Sequence, residues 1–334
     1  MPERQSWTIS QFHRRNSTTP MKTCARQDGP LKDEDTRADR PQRSFRLNDS
    51  PVQARPLEAA LYLVATPIGN LGDITLRALE VLAGADVLAC EDTRVTRVLL
   101  DRYGIATRPY AYHEHNAADV GPRLIEALAS GKSVALVSDA GTPLVSDPGY
   151  RLAQLAIEAG LKVVPLPGPS APLAALVGSG LPNDAFLFAG FLPSKDKARR
   201  DALAGWEDVP ATLIFFESPH RIGATLTAAA EVLGADRPAC VCRELTKTFE
   251  EFRRGTLGEL SGFYDDDRQV KGEIVLVIGP PLAPPPPAEE DVDVLLLELA
   301  ATLPAPKAAA EAARRTGLVR KDLYQRLLDL KAGT

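Results

Sequence analysis

The distribution of apolar and polar residues divides the chain near residue 57. Residues 1–56 are polar, rich in Arg, Asp, Ser and Pro, and without apolar periodicity. Such a segment cannot bury enough surface to offset the entropy of ordering it, so we expect a disordered leader over residues 1–56. A translation start placed too early, with Met21 or a later codon as the true one, would leave the same composition.

From residue 61 onward, short apolar runs alternate with stretches that have helical spacing. The runs predict strands and the spaced stretches predict helices, and their alternation indicates a mostly parallel sheet flanked by helices. We place this first α/β domain at residues 57–181. Its predicted strands are 61–65, 87–90, 134–137 and 163–166, and its predicted helices are 74–82, 95–103, 120–128 and 149–159.

A second α/β domain is predicted over residues 182–279. Strands outnumber long crossovers in this part of the chain, so we expect antiparallel pairing within a mixed sheet. The predicted strands are 186–189, 212–216, 239–243 and 273–278, and the predicted helices are 196–204, 221–233 and 257–264.

A proline-rich run follows the second domain and predicts a stiff linker over residues 280–290. Helical patterns near 292–302, 307–315 and 320–330, with a turn at Thr316-Gly317, predict a small helix-turn-helix-like appendage over residues 291–334.

Composition limits the class of protein. A chain of 334 residues with 44% apolar content can bury the cores of roughly two domains. Its formal net charge of −5 argues against a protein that coats nucleic acid over its whole surface, although a local basic site stays open. Neither a membrane-spanning stretch nor the apolar core of a signal peptide is present in the sequence, so we expect a cytoplasmic protein without a membrane partner. Cys240 and Cys242 lie in an apolar, strand-like segment that predicts packing cysteines rather than metal ligands.

Candidate chemistry lies in the loops that follow the predicted strands, because ligands of open parallel sheets bind at the carboxyl ends of strands. Loops 66–70, 138–143 and 167–171 are rich in Gly and Pro. Each alone could be an ordinary tight turn, but three at one sheet edge favour a pocket. None of them carries a Walker or a dinucleotide-binding pattern, so neither a nucleoside triphosphate nor NAD is expected.

Several stretches together carry a resemblance to a known family. They are 64–71 (VATPIGNL), 91–94 (EDTR), 137–143 (VSDAGTP) with 147–150 (DPGY), 165–169 (PLPGP) and 243–247 (RELTK). Over residues 61–278 the chain resembles the ribosomal RNA small subunit methyltransferase I family, which methylates the ribose 2′-hydroxyl of a decoding-region cytidine. One departure is Ala65, at a position where a proline is expected before the threonine.

The resemblance implies a two-domain tetrapyrrole methylase-like fold, usually as a homodimer. It has a parallel-sheet first domain, a mixed-sheet second domain and S-adenosylmethionine in the cleft between them. Small-subunit ribosomal RNA or the 30S particle would be the substrate. The residues that the resemblance places at the cofactor are Pro67, Gly69, Asp139, Ala140, Gly141, Pro143, Ser170, Ala171, Phe216 and Gly272.

Candidate catalytic carboxylates are Glu91, Asp92 and Glu217, since a neutral ribose hydroxyl is a poor nucleophile that a general base would activate. Asp92 could instead cap the next helix, and Ser218 could cap the helix after Glu217. Arg94 could hold an RNA phosphate. His115 and Asn116 are candidate RNA contacts, and the His113-to-His115 spacing does not suffice for a zinc site, so no metal is expected.

Further candidate RNA contacts come from basic residues, which could equally form solvated surface. In the second domain they are Lys195, Lys197, Arg199, Arg200, Arg243 and Lys247, and in the appendage they are Arg314, Arg315, Arg320, Lys321 and Arg326. Two other functions stay open, a small-molecule tetrapyrrole methyltransferase and a catalytically silent RNA-binding assembly protein. A basic cleft rim would count against the tetrapyrrole methyltransferase, and tight cofactor binding would count against the silent protein.

Overall fold

The computed structural model describes residues 43–48, 50–144, 149–264, 270–282 and 289–332. Within these ranges, no helix is both long enough and apolar enough to cross a membrane. The described chain contains a small hairpin, two five-stranded sheets with their helices, and three C-terminal helices.

All four described strand pairs of the first sheet are parallel, where the alternating pattern predicts a mostly parallel sheet. After a hairpin of β1 (Ser44–Leu47) and β2 (Ser50–Gln53), its strands in chain order are β3 (Leu61–Val64), β4 (Val87–Cys90), β5 (Pro109–Ala111), β6 (Val134–Val137) and β7 (Val163–Leu166). Its helices are α1 (Leu76–Gly84), α2 (Thr93–Arg102), α3 (Ala117–Ala129) and α4 (Tyr150–Glu158). In space the strands follow the order β5-β4-β6-β3-β7.

Both faces of the first sheet are buried, because successive side chains of a strand point to opposite faces and helices pack on both of them. Tyr62 and Val64 pack with α1 and α2, whereas Leu61 packs with α3 and α4. Strands that are buried on both sides read as continuous apolar runs. This is why the sequence pattern locates β3, β4, β6 and β7 to within one residue.

The predicted disordered leader is wrong at its C-terminal end. Strands β1 and β2 pair in an antiparallel hairpin, and Phe45, which is 4% exposed, joins the core of the first domain. Arg43 donates a hydrogen bond to Asp86 at 2.7 Å, and Asp86 also accepts one from the Ser133 amide at 2.8 Å. The hairpin is ordered because it buries the Phe45 ring and because Arg43 gives the Asp86 carboxylate a hydrogen-bond partner. Residues 1–42 lie outside the described residues.

The second sheet is mixed, as predicted. Its strands are β8 (Phe186–Phe191), β9 (Thr212–Glu217), β10 (Pro238–Arg243), β11 (Glu251–Thr256) and β12 (Ile274–Ile278), in the spatial order β11-β10-β12-β9-β8. Only β8 and β9 pair in parallel among these described strands. One face carries α6 (Asp196–Ala204), α7 (Ile222–Leu233) and α8 (Leu257–Phe263).

The other face of the second sheet is covered by α5 (Ala171–Ser179). The predicted first domain, residues 57–181, includes α5, but Ala175 and Leu176 pack with Cys240 and Cys242 of β10 in the second sheet. Both cysteines are fully buried, as the apolar segment predicts. Ile68, from the loop after β3, belongs to the same cluster. The two α/β domains therefore share one apolar core around α5.

The C-terminal appendage consists of α9 (Glu289–Thr302), α10 (Ala305–Thr316) and α11 (Arg320–Ala332). Helix α9 begins inside the predicted 280–290 linker, most of which lies outside the described residues. Gly317 ends α10 with φ +72°, a left-handed conformation that glycine adopts without strain. The three helices enclose a small core of their own.

We expect Phe45→Ala to lower the free energy of unfolding by about 3 kcal/mol, because removing a buried ring leaves a cavity that the hairpin cannot close. Urea denaturation of the full chain measures this change. The control is Arg55→Ala, whose side chain is 87% exposed and whose loss should be nearly neutral. A Phe45→Ala effect as small as the control's would show that the hairpin contributes no packing.

Candidate functional site

Three loops meet at the carboxyl edge of the first sheet, as the sequence pattern predicts. The Thr66 amide donates to the Gly141 carbonyl at 2.9 Å, and the Gly141 amide donates to the Thr66 carbonyl at 3.0 Å. The Thr142 hydroxyl donates to the Pro169 carbonyl at 3.2 Å. These bonds join the loops that follow β3, β6 and β7 into one wall.

Glycine makes the close approach of these loops possible. A Cβ on Gly168 would lie 2.7 Å from the Ala65 side chain, so any larger residue would push the third loop away from the first. Gly141 has φ +79°, which β-carbon-bearing residues rarely adopt. The wall therefore depends on glycine at both positions.

A cleft of about 390 Å³ opens in front of this wall. The first domain contributes Ile68 and the loop Ala140–Thr142, and α5 contributes its first turn together with Ser170. The second domain closes the opposite side. Its lining residues are Phe191, Phe216, Glu217, Ser218, Pro219, Leu245, Gly272, Glu273, Ile274 and Val275.

The second-domain side is an aromatic and aliphatic wall. The Phe216 ring packs edge-on against Phe188, with centroids 4.9 Å apart, and at a tilt against Phe191 at 5.4 Å. Polar groups are few and include the hydroxyls of Thr142, Ser170 and Ser218. A mostly apolar cleft with a few convergent polar groups is typical of a small-molecule site.

Six of the ten predicted cofactor residues line this cleft: Ala140, Gly141, Ser170, Ala171, Phe216 and Gly272. Pro67 and Pro143 do not line it, because they are buried within their own loops. Gly69 is also outside the lining and packs against Lys247. Asp139 is exposed beside the lining, and its carboxylate accepts a hydrogen bond from the Asp92 amide at 3.0 Å.

Sequence reasoning missed several lining residues. Ile68 lies between two predicted residues, and its isolated apolar side chain in a Gly/Pro loop was a usable signal. Leu245 is the single apolar residue of the RELTK stretch, is buried, and lines the cleft. Phe191 ends an edge strand and is 59% exposed, so no pattern in the sequence marked it.

Lys247 is tied into the wall of the cleft, which corrects its expected role as a free RNA contact. Its ammonium donates to Glu244 at 2.7 Å and to Glu273 at 3.0 Å. Burial would lower the pKa of Lys247, but these two hydrogen bonds outweigh burial and raise it. Hydrogen bonds from Lys247 and from the Glu273 amide lower the pKa of Glu244.

The backbone around Lys247 and its two carboxylate partners is strained. Glu244 and Thr246 have φ of 51° and 65°, and such values are uncommon for residues other than glycine. A Cβ on Gly272 would lie 2.5 Å from the Glu244 side chain. Because strain of this kind persists only where surrounding contacts hold it, the Lys247 cluster fixes Leu245 against the cleft.

The predicted catalytic carboxylates have different environments. Asp92 caps α2, as the alternative interpretation held, and hydrogen bonds from Arg94 lower its pKa to about 2. Arg94 remains 89% exposed while paired with Asp92 at 2.6 Å. Glu91 is half-buried in the same loop.

Glu217 lines the cleft, but its carboxylate is occupied, which argues against its expected role as a base. One oxygen accepts from the Ser218 amide at 2.7 Å, and the other accepts from the Thr225 hydroxyl at 2.6 Å. Arg221 lies 3.3 Å away. Ser218 does not cap α7, because Arg221 occupies the N-cap position.

The loop from His113 to Asn116 is closed by Asn116. Its side chain accepts from the His113 amide at 2.9 Å and donates to the Ala111 carbonyl at 2.9 Å, so the expected RNA contact by Asn116 is replaced by a structural role. His115 is exposed. In the described ranges no group of three or more His, Cys, Asp or Glu side chains could hold a metal ion.

The basic residues of the second domain divide into two groups. Arg199 is 4% exposed and pairs with Asp196 at 2.8 Å, so burial removes it from the expected RNA-contacting surface. Arg200 also pairs with Asp196, and Arg243 pairs with Glu251 at 3.1 Å. Lys195 and Lys197 remain exposed, and their expected phosphate contacts stay a prediction.

Comparison with known proteins gives consistent matches. Residues 60–261 match the family Tetrapyrrole (Corrin/Porphyrin) Methylases, and residues 286–331 match the RsmI C-terminal HTH domain. The chain is 63% identical to a protein of Mesorhizobium japonicum named ribosomal RNA small subunit methyltransferase I, over 85% of this chain and 97% of that protein. It is 47% identical to the protein of that name from Escherichia coli O157:H7, over 81% of this chain and 96% of that one.

Among solved structures, a conserved hypothetical protein from Aeropyrum pernix K1 aligns with a TM-score of 0.53 and 19% identity, over 83% of this chain and 98% of that one. At that identity the match supports the fold alone.

We expect Lys247→Met to lower the free energy of unfolding by about 1 kcal/mol at pH 7, because two carboxylates lose their shared cation. The pKa of Glu244 is lowered in the folded state, so its stabilising contribution is complete above its unfolded pKa of about 4.3. That contribution is lost as the pH falls through the lower pKa that Glu244 has in the folded state. The difference between variant and wild type should therefore shrink at about pH 3.

The measurement is urea denaturation at both pH values. Lys162→Met is the matched control, since its pair with Glu58 is exposed and should contribute little. A Lys247→Met effect no larger than the control's, or one that grows in acid, would contradict this assignment.

Proposed function

Because this chain belongs to the ribosomal RNA small subunit methyltransferase I family, we propose that it methylates the ribose 2′-hydroxyl of one cytidine in the decoding region of small-subunit ribosomal RNA. It is a methyltransferase with the tetrapyrrole methylase fold, and S-adenosylmethionine is the methyl donor. The observation that carries the proposal is the cleft of about 390 Å³ between the two sheets, lined by loops of both domains.

The cleft fits a ligand of this size and character. Its volume lies within the range of roughly 300 to 1,000 Å³ that is usual for small-molecule sites. The first-domain wall presents backbone and small side chains at Ala140, Gly141 and Ala171. The second-domain wall presents the Phe216 ring and the aliphatic side chain of Leu245. We propose that these residues hold the cofactor, with its polar groups toward the loops and its apolar surface toward the rings.

Methyl transfer requires alignment more than covalent help from the protein. When bound, S-adenosylmethionine supplies a methyl group that is activated by its sulfonium. The chain's own part is to hold the ribose oxygen in line with that methyl and to exclude water, which accounts for much of such a rate enhancement. We propose that the rings of Phe191 and Phe216, which line the cleft, exclude water from the second-domain side once the cofactor is bound.

The ribose hydroxyl must also lose its proton. Asp92 is a poor acceptor because Arg94 lowers its pKa to about 2, and both carboxylate oxygens of Glu217 already accept hydrogen bonds. Glu91 is our candidate for the proton acceptor because it directly follows β4, at the carboxyl edge of the first sheet. It lies next to Asp92, whose amide contacts Asp139 beside the cleft.

We propose a homodimer and a cytoplasmic location. Leu173 and Val177 lie one helical turn apart on α5, and their side chains are exposed. A second copy of the chain would cover this aliphatic pair. An enzyme of ribosomal RNA works where ribosomes are assembled, which supports the cytoplasm.

Asp139→Ala should weaken cofactor binding more than it weakens stability. The Asp139 residue is exposed as a whole, but partial burial of its carboxylate raises its pKa. That carboxylate accepts from the Asp92 amide and so fixes the turn that leads into Ala140 and Gly141. We expect a Kd for S-adenosylhomocysteine about tenfold higher, equivalent to about 1.4 kcal/mol, with the free energy of unfolding lowered by less than about 1 kcal/mol.

Isothermal titration calorimetry and urea denaturation measure these two quantities. Asp101→Ala is the control, because Asp101 is an exposed helical aspartate near the end of α2. An unchanged affinity of Asp139→Ala for S-adenosylhomocysteine, or a loss of stability that matches the loss of binding, would refute the role of Asp139 in cofactor binding.

The proposed reaction is tested by incubating the full chain with S-adenosylmethionine that carries a labelled methyl group. Purified small subunits, free ribosomal RNA and protein are offered in parallel, and any ribose-methylated nucleotide is mapped. Label at one cytidine ribose of the subunit RNA is the expected result. Cofactor binding without label in any RNA would overturn the proposal and favour a small-molecule substrate.

A further inference from the structure

The three C-terminal helices form a unit whose core does not involve the catalytic cleft. Val292 and Leu296 of α9, Ala308 and Ala312 of α10 and Leu327 of α11 are buried together. The alanines of α10 present no long side chains, so its neighbours pack closely around it. Most of the charged side chains of the unit lie outside this core.

Charge is unevenly distributed over this unit, although Arg326 of α11 pairs with Asp293 of α9. Helix α9 carries Asp291, Asp293 and Glu298. The opposite charge concentrates where α10 ends and α11 begins, and we call this surface the basic turn. It consists of Arg314, Arg315, Arg320 and Lys321, and all four side chains are exposed.

Ion pairs within the helical unit do not neutralise the positive charge of the basic turn. Arg314 and Arg315 share one carboxylate, that of Glu311, at 2.6 and 2.8 Å. These hydrogen bonds lower the pKa of Glu311 to about 2, so it stays ionised, and the group of three side chains keeps one net positive charge. Arg320 and Lys321 add two further cations, of which the neighbouring Asp322 offsets one.

Side chains able to contact bases lie beside these cations. Tyr324 and Gln325 follow on the next turn of α11 and are exposed, and Val319 in the connection is 63% exposed. Aromatic rings stack on unpaired bases, amides bond base edges, and guanidinium groups bind phosphates. This combination fits RNA better than a lipid surface, for which a larger apolar face would be required.

We propose that the basic turn docks structured small-subunit RNA and anchors the substrate while the cleft acts on its target ribose. This inference rests on the proposed function, because it assigns a second contact to the same substrate. The binding energy comes mainly from phosphate contacts of Arg314, Arg315, Arg320 and Lys321. Tyr324 and Gln325 add contacts to bases.

The test uses the double variant Arg320→Gln/Lys321→Gln in the full chain. We expect the KM for small subunits to rise about tenfold, with kcat changed less than about twofold, since these residues lie outside the cleft. The dependence of RNA affinity on salt should weaken by about 1 to 2 in logarithmic slope, as two phosphate contacts are lost. The Kd for S-adenosylhomocysteine should not change.

Asp291→Asn/Glu298→Gln is the matched control, because it removes two exposed charges from the α9 side of the same unit. Thermal unfolding followed by circular dichroism checks that both double variants keep the helices. An unchanged KM and salt slope in Arg320→Gln/Lys321→Gln would overturn the proposal, as would an equal effect in the control.

Binding is also measured directly, with intact subunits and with their deproteinised RNA. Weaker binding of the variant to both supports RNA as the partner. Weaker binding to intact subunits alone would overturn the proposal in favour of a protein partner. If the wild type bound RNA through the basic turn but methylated none, the proposed reaction would fail and the docking surface would stand.

Discussion

The cleft depends on the pair of backbone hydrogen bonds that joins Thr66 to Gly141. These bonds lie just beyond the ends of β3 and β6, where the parallel strands leave their backbone groups without sheet partners. They turn two separate loops into a continuous surface, and Thr142 extends that surface to Pro169 in the loop after β7. Since the contacts are backbone to backbone or to a short hydroxyl, the surface is set before any ligand arrives, and little order is lost on binding.

The second domain is positioned against this surface by a shared apolar core. Helix α5 leaves the third loop directly and packs on the second sheet, where Ile68 from the first loop joins the same cluster. The Lys247 side chain crosses Gly69 and is held by Glu244 and Glu273. The first-domain loops therefore form one side of the cleft and also contact the second domain, which forms the other side.

Sequence patterns located most of the fold because buried parallel strands and amphipathic helices have strong periodicities. They failed where the structure departs from those periodicities. Strand β11 is absent from the predicted strands because Arg253 and Arg254 interrupt its apolar pattern. In the structure Arg253 lies over the Phe263 ring at 3.5 Å, and an edge strand tolerates such side chains. Helix α5 begins at a proline-rich loop and has apolar residues on both its buried and exposed faces, so it lacks a polar stripe. In the site, Gly and Pro mark the loops, but the burial of Arg199 and the hydrogen bond from Lys247 to Glu273 depend on tertiary packing that the local sequence does not encode.

Hydrogen exchange with and without S-adenosylhomocysteine tests most directly whether the two domains hold one cofactor between them. The account predicts slower amide exchange at the three first-domain loops, residues 66–70, 138–144 and 167–171, together with slower exchange at residues 216–219 and 272–275 of the second domain. Protection confined to one domain, or protection elsewhere despite tight binding, would contradict the claim that this cleft is the cofactor site.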